Sequence, residues 1–247
     1  SRGLGDVYKR QGECFMSLIF MVIYFVILMI LPMWAQHKVR SNYEKYAQVR
    51  STSGKTGEEV ALEILHANGI YDVDVVEGRG FLTDHYDPSK KVLVLSPANF
   101  NRPSVAGTAV AAHEVGHAIQ HAEGYFFLRF RNALVPLANL GSSLGYIVIM
   151  IGIITTAMQM AIGSTALWIG AGLISLAVLF SIVTLPVEFD ASSRAMKQIQ
   201  SLNIVNEKEH KHARKVLSAA AMTYVASTAV ALAELARIIL IARSSDN

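Results

Sequence analysis

His113, Glu114 and His117 stand in the run AVAAHEVGHAIQ (residues 109–120) in the order H-E-x-x-H. On a helix, residues i and i+4 share a face and lie about 6 Å apart along the axis. Two imidazoles so placed can converge on one tetrahedral zinc ion, at about 2.0–2.1 Å each. Glu114 falls beside that face without being in line to ligate. That is where a general base can take a proton from a zinc-polarised water and return it to a leaving amine. A chance H-E-x-x-H arises in roughly one chain in a hundred of this length. The chemistry expected is metal-assisted hydrolysis, with one Zn2+ per chain on His113, His117 and one further ligand, and Glu114 as the catalytic residue.

The third ligand must come from elsewhere. His121 is excluded by geometry, because eight residues of helix put it about 12 Å from His113. The longer pattern H-E-x-x-H-x-x-G-x-x-H is absent, since Gln120 and Glu123 stand where Gly and His would be needed. Glu188, in LPVEFDASSRA (185–195), is the better candidate because a His2Glu set is a standard catalytic zinc arrangement. Pro186 is expected to open a helix there, with Glu188 in its first turn. The helix macrodipole alone would also favour an acidic residue at that place. Asp190, roughly 200° further round the helix, is the rival ligand.

The elements that must hold these residues are read from the distribution of apolar residues. Of 247 residues, 52% are apolar and 17% charged, with one cysteine and a net charge of +3. So much apolar surface excludes disorder, and one cysteine excludes an internal disulfide framework. The small basic excess does not argue for nucleic acid. The apolar residues are blocked into long uncharged runs, as in a membrane protein. Residues 1–15 are set aside: SRGLGDVYKRQ (1–11) is the in-frame translation of a common transposase sequencing adapter, so the native start is expected at Met16, and on that expectation Cys14 would not be native. Residues 16–35 carry no charge and end near Trp34, which predicts a first transmembrane helix.

Residues 36–131 read as a water-soluble α+β domain. Thr56-Gly-Glu-Glu59 is a capping-box pattern opening a helix that ends at Gly69. Asp72–Val76 and KVLVLS (91–96) read as strands joined by a Gly- and Asp-rich connection over residues 78–88, and the H-E-x-x-H helix should run from about Ser104 through His121. Residues 132–187 contain no Asp, Glu, Lys or Arg, which predicts two spans at about 133–157 and 164–185. Asn139, Ser142 and Ser143 with Gly141 and Gly145 suggest a small-residue packing face on the first of these. Residues 188–215 form a polar helical segment with the third ligand. Residues 216–247 form an apolar helix holding Glu234 and Arg237 at i,i+3 spacing, either a fourth span or a helix lying on the soluble domain. Lys38, Arg40, Lys45, Arg50 and Lys55 follow the first span, so the positive-inside rule puts 36–131 in the cytoplasm. His117 and Glu188 are separated by two crossings and return to the same face.

Four motifs together, AVAAHEVGHAIQ, LTDHYDP (82–88), RFRNALVP (129–136) and LPVEFDASSRA, resemble those of the YugP-type neutral zinc metallopeptidases, bacterial membrane proteins, over about residues 31–240. More distantly, H-E-x-x-H followed by E-F is similar to the membrane gluzincins of the HtpX and CAAX-prenyl protease kind, whose E-F-x-A-D glutamate is the third zinc ligand. That resemblance implies Glu188 as ligand here. The pattern departs at Ser192, which stands where those proteins carry Asp, although Asp190 could replace it.

The fold expected is therefore mainly α and multi-pass, with transmembrane helices and a small α+β cytoplasmic metalloprotease domain. The expected activity is that of a membrane-bound zinc metalloendopeptidase in the bacterial cell membrane, acting on peptides or membrane-protein segments near the bilayer and not on nucleic acid. Two other readings are an intramembrane-cleaving protease and a zinc-binding scaffold without activity. Other polar residues carry weaker expectations. Asp84 and His85 either approach the site or shape a turn. The KVLVLS strand could pair with an extended substrate. Tyr224 is either an oxyanion donor or a core residue. His210 and His212 belong to a basic face near anionic lipid. Gly116 would let another element pack close.

Overall fold

The structure, a computed structural model, describes residues 19 and 21–245. The expectations for residues 1–15, for Cys14 and for a start at Met16 lie outside the described residues. In chain order the elements are α1 (Met21–Ala47), α2 (Gly57–Ala67), β1 (Asp74–Glu77), β2 (His85–Asp87), β3 (Val92–Leu95), α3 (Pro97–Asn101), α4 (Val105–Ala122), α5 (Phe126–Ala157), α6 (Ile162–Ser201) and α7 (Glu207–Ser245). The chain is mainly helical, and α1, α5, α6 and α7 are long and apolar enough to cross a bilayer.

Local chemistry accounts for most boundaries. Thr56 Oγ1 accepts from the Glu59 amide at 3.3 Å, while Glu59 Oε2 accepts from the Thr56 amide at 2.8 Å, a complete capping box on α2. Its far end turns at Gly69, whose φ of +72° suits a residue without a Cβ. Ser104 caps α4 by accepting from the Gly107 amide at 3.0 Å. A π-helical stretch over Val26–Ile30 in α1 immediately precedes Leu31-Pro32, where proline supplies no N–H to the helical ladder.

The sheet differs from expectation. The connection over 78–88 contains a third strand, β2, so the order is β1-β3-β2, with β3 parallel to β1 and antiparallel to β2. His85–Asp87 is too short to show alternation against its Gly- and Asp-rich surroundings, which hid it. KVLVLS is thus the central strand, and the expected pairing of a substrate with it is overturned because both its edges are filled. Asp84 locks β2 in place: its carboxylate accepts from the Ser96 amide at 2.7 Å and from Asn99 Nδ2 at 3.0 Å.

Leu93 and Leu95 of β3 share one buried core with Val60, Ile64 and Leu65 of α2, the inner residues of α4, and Ala195, Ile199, Ala213 and Val216 from α6 and α7. A second cluster joins Ile149, Leu167, Ile174 and Ile238 of α5, α6 and α7. The expected small-residue face is real only in part. Gly141 and Gly145 face α6, and a Cβ on Gly141 would lie 2.5 Å from the Leu173 carbonyl oxygen; Asn139 and Ser143 are exposed instead. Outward residues such as Ile147 and Ile162 are 57% and 59% exposed, the surface a bilayer would cover.

Pro186 does not open a helix. It lies inside α6, which runs unbroken through Glu188 to Ser201. The expected separate segment 188–215 is therefore the end of α6, a short turn and the start of α7. Along α7, Glu234 accepts from Arg237 Nη2 at 3.1 Å and also from the Tyr24 hydroxyl, which ties α7 to α1 among the four long apolar helices.

Candidate metal centre

α4 is buried nearly all round, and between Val105 and His121 the positions that escape full burial are Val110, His113, His117 and His121. They follow one another by three or four residues, so they form a single stripe, and its two middle members, His113 and His117, line a cavity of about 200 Å³. The rest of the cavity wall comes from Glu114 of α4, Asp84, His85, Tyr86 and Pro88 of the β2 segment, Leu128 and Arg131 of α5, Glu188 of α6 and Tyr224 of α7.

Backbone contact sets the spacing of α4 and α6. Gly116 faces Ala191, and a Cβ there would lie 2.5 Å from the Ala191 carbonyl oxygen. That approach, expected in kind for Gly116, brings Glu188 (3% exposed) over the two imidazoles. Ligand atoms of His113, His117 and Glu188 all lie within 4.8 Å of one another. Glu188 Oε2 is 3.3 Å from His113 Nε2 and 3.7 Å from His117 Nε2. Ligands on a tetrahedral zinc with bonds of about 2.0–2.1 Å are roughly 3.3–3.4 Å apart, so the set fits the ion. Glu188 Oε2 is also buried without a hydrogen-bond partner, as an atom reserved for a cation would be.

The far sides of the rings are held. His117 Nδ1 is 3.0 Å from Gln120 Oε1, while Gln120 Nε2 donates to the Val187 carbonyl and to Asp190 Oδ2, both at 2.8 Å. Those two acceptors fix the amide orientation, so His117 donates from Nδ1 and leaves Nε2 with a lone pair toward Glu188. Ser192 Oγ lies 3.2 Å from His113 Nδ1. The residue that departs from the gluzincin pattern therefore contacts the first histidine itself. Asp190, the rival ligand, is outside the cluster; it accepts from Gln120 and from Arg194 Nε at 2.5 Å. His121 turns instead to the Tyr86 hydroxyl at 2.9 Å.

Glu114 lines the cavity at 8% exposure, and burial pushes its carboxyl pKa up against the opposing pull of His113 and His117. Burial alone lowers the pKa of His117, but Glu188 and Glu114 beside it leave the net shift upward. Asp84 is turned to Ser96 and Asn99 and serves the strand, whereas His85 lies in the cavity wall with Nδ1 2.8 Å from the Thr83 carbonyl. Tyr224 lines the cavity too, so it is not simply a core residue.

Sequence reasoning missed Arg131 and Gln120. Arg131 Nη1 is 3.5 Å from Glu188 Oε1, and its Nε is buried without a partner. It is the last charge before the long uncharged run, a signal visible beforehand. Gln120 is three residues after His117 and so on the neighbouring face of the same helix.

A family model described as "Putative neutral zinc metallopeptidase" matches residues 21–243. A Bacillus subtilis (strain 168) protein named "Putative membrane protease YugP" is 47% identical over 213 residues, which cover 85% of this chain and 91% of that protein. No solved structure matches the chain.

Proposed function

The chain belongs to the neutral zinc metallopeptidase family, and from that premise we propose that it is a membrane-bound zinc endopeptidase with His113, His117 and Glu188 as metal ligands and Glu114 as proton carrier. The observation that carries the ligand set is the buried, unpartnered Oε2 of Glu188 beside two imidazole Nε2 atoms.

A zinc ion at this set would supply Lewis acidity, making a nearby water more acidic and polarising the scissile carbonyl. Glu114 takes the proton of the attacking water and delivers it to the departing amine nitrogen, a task suited to a carboxylate whose pKa burial has raised. Gln120 and Ser192 hold the imidazoles in place. Tyr224, in the cavity wall, donates its hydroxyl proton toward the carbonyl oxygen as negative charge develops there. An extended peptide finds its free edge on β2, because β3 is paired on both sides and β2 is the outer strand whose residues line the cavity.

Substrates are peptides or membrane-protein segments close to the bilayer surface. The H-E-x-x-H helix, α4, is not one of the four candidate spanning helices, which supports a site outside the hydrocarbon rather than cleavage within it. The basic residues after the first span support a cytoplasmic placement of the site in the cell membrane.

The test is zinc content per chain together with peptide cleavage in wild type and in His113→Ala, Glu188→Ala and Glu114→Gln. One zinc is expected in wild type and in Glu114→Gln, with loss of the metal in the other two. Cleavage in Glu114→Gln is expected to fall by about 10²–10⁴-fold. Zinc kept in Glu188→Ala would overturn the ligand set. Full cleavage by Glu114→Gln would overturn the role of the glutamate, and a zinc-loaded wild type without peptidase activity would favour a scaffold.

A further inference from the structure

A larger groove of about 1310 Å³ runs between the polar halves of α6 and α7 and the end of α1. Its size exceeds the range of roughly 300–1,000 Å³ typical of small-ligand sites. The cations along it are Lys38, Lys197, Lys208, Lys211, Arg214 and Lys215, and its wall contains no carboxylate. Lys208, Lys211 and Lys215 recur at three and four residues, a row about 10 Å long on one face of α7.

Among the described residues, none of the six cations forms an ion pair with a carboxylate. Lys38 instead lies over the Trp34 ring, 4.7 Å from its centroid. Of the two acidic side chains at the start of α7, Glu207 is exposed and forms no ion pair with these cations, and Glu209 is buried, accepting from the Thr52 amide and hydroxyl at 2.7 and 2.8 Å. Two buried ring nitrogens in the same segment, His210 Nε2 and His212 Nδ1, have no hydrogen-bond partner.

Opposite the basic end the groove is apolar. The helices α6 and α7 run antiparallel, so Phe189 and Met222 stand together at one end and Gln200 and Lys208 at the other. Phe189 is 49% exposed. From that apolar end both helices continue into their uncharged stretches, so the apolar mouth opens where a bilayer would begin.

We infer that this groove is a binding site for an anionic phospholipid of the surrounding leaflet, its phosphate among the lysines of α7 and its acyl chain against Phe189 and Met222. Clustered positive charge beside a membrane surface selects anionic headgroups. A free phosphate or an acidic peptide would answer the lysines, yet would leave the apolar mouth without a partner. Ser192 belongs to this groove and also lies 3.2 Å from His113 Nδ1, so groove and metal centre share one wall.

The experiment is native mass spectrometry of the full chain in a neutral detergent, titrated with dimyristoyl phosphatidylglycerol or dimyristoyl phosphatidylcholine. Phosphatidylglycerol is expected to bind at least tenfold more tightly, and the difference is expected to close in 0.5 M salt as charge is screened. The triple variant Lys208→Gln, Lys211→Gln, Lys215→Gln should bring phosphatidylglycerol to the phosphatidylcholine level. The single variants Lys211→Gln and Lys215→Gln, at exposed positions, should each weaken it about threefold and guard against misfolding of the triple. Phe189→Ala should weaken both lipids alike. Equal binding of the two lipids, or no change in the lysine variants, would overturn the inference. So would inorganic phosphate or polyglutamate displacing the lipid at concentrations comparable to its own.

Discussion

Gln120 shows how a neutral side chain can set the chemistry of a neighbour. Its amide nitrogen is committed to the Val187 carbonyl and Asp190, which leaves only its oxygen for His117. The imidazole must then donate from Nδ1, and its Nε2 is free to coordinate. Asp190 in turn is braced by Arg194, whose Nη1 also donates to Glu123 at 2.6 Å, so the support of one ligand extends from α6 to the end of α4. Gln120→Ala should therefore weaken zinc binding by about 10–100-fold without removing a ligand, as read by competition with a chelator. Unchanged zinc affinity in that variant would reduce Gln120 to packing. Nothing in the H-E-x-x-H pattern itself points to Gln120; only its offset from His117 does.

The decisive contact between elements is the crossing of α4 and α6 at Gly116 and Ala191. A methyl group at 116 would meet the Ala191 carbonyl oxygen at 2.5 Å, a backbone atom that cannot swing aside. Gly116→Ala should push the helices apart, cost about 1–3 kcal/mol of stability, and lower zinc occupancy, because Glu188 is one turn from Ala191 while both histidines stay on α4. Thermal unfolding and metal analysis of the same preparation check it; normal zinc occupancy would show that α6 can retreat without taking Glu188 with it. At this scale the sequence was informative where a local rule governs the outcome. The capping box at Thr56, the cap at Ser104 and the uncharged runs each follow from neighbours in the chain. It was uninformative where partners from afar decide. Pro186 is a helix opener by local rule, yet α6 continues through it, and Ala191, Ala195 and Ile199 beyond it are fully buried in a continuing helical face. β2 exists because β3 and the Asp84 clamp hold it, and three residues carry no pattern of their own.

Across the whole molecule, the site draws on both arms of the α5–α6 hairpin, with Arg131 in the first turns of α5 and Glu188 in the second half of α6. If both helices span, their connection at residues 158–161 lies on the far side of the bilayer from His113, and the even number of crossings is what allows Glu188 to return. That connection carries no charge, whereas basic residues crowd the region after α1. By the positive-inside rule, this asymmetry is the ground for the proposed cytoplasmic placement of the metal centre. Single cysteines in a chain with Cys14→Ser test this directly, using a maleimide that cannot cross membranes. Lys90→Cys and Glu207→Cys are at exposed positions on the side of the metal centre and should react only after permeabilisation, while Met160→Cys should react in intact cells. Labelling of the first two but not the third in intact cells would invert the orientation and leave the hairpin intact. Reaction of all three from one side would mean that α5 and α6 do not cross, and the pairing of Arg131 with Glu188 would then need no membrane to explain it.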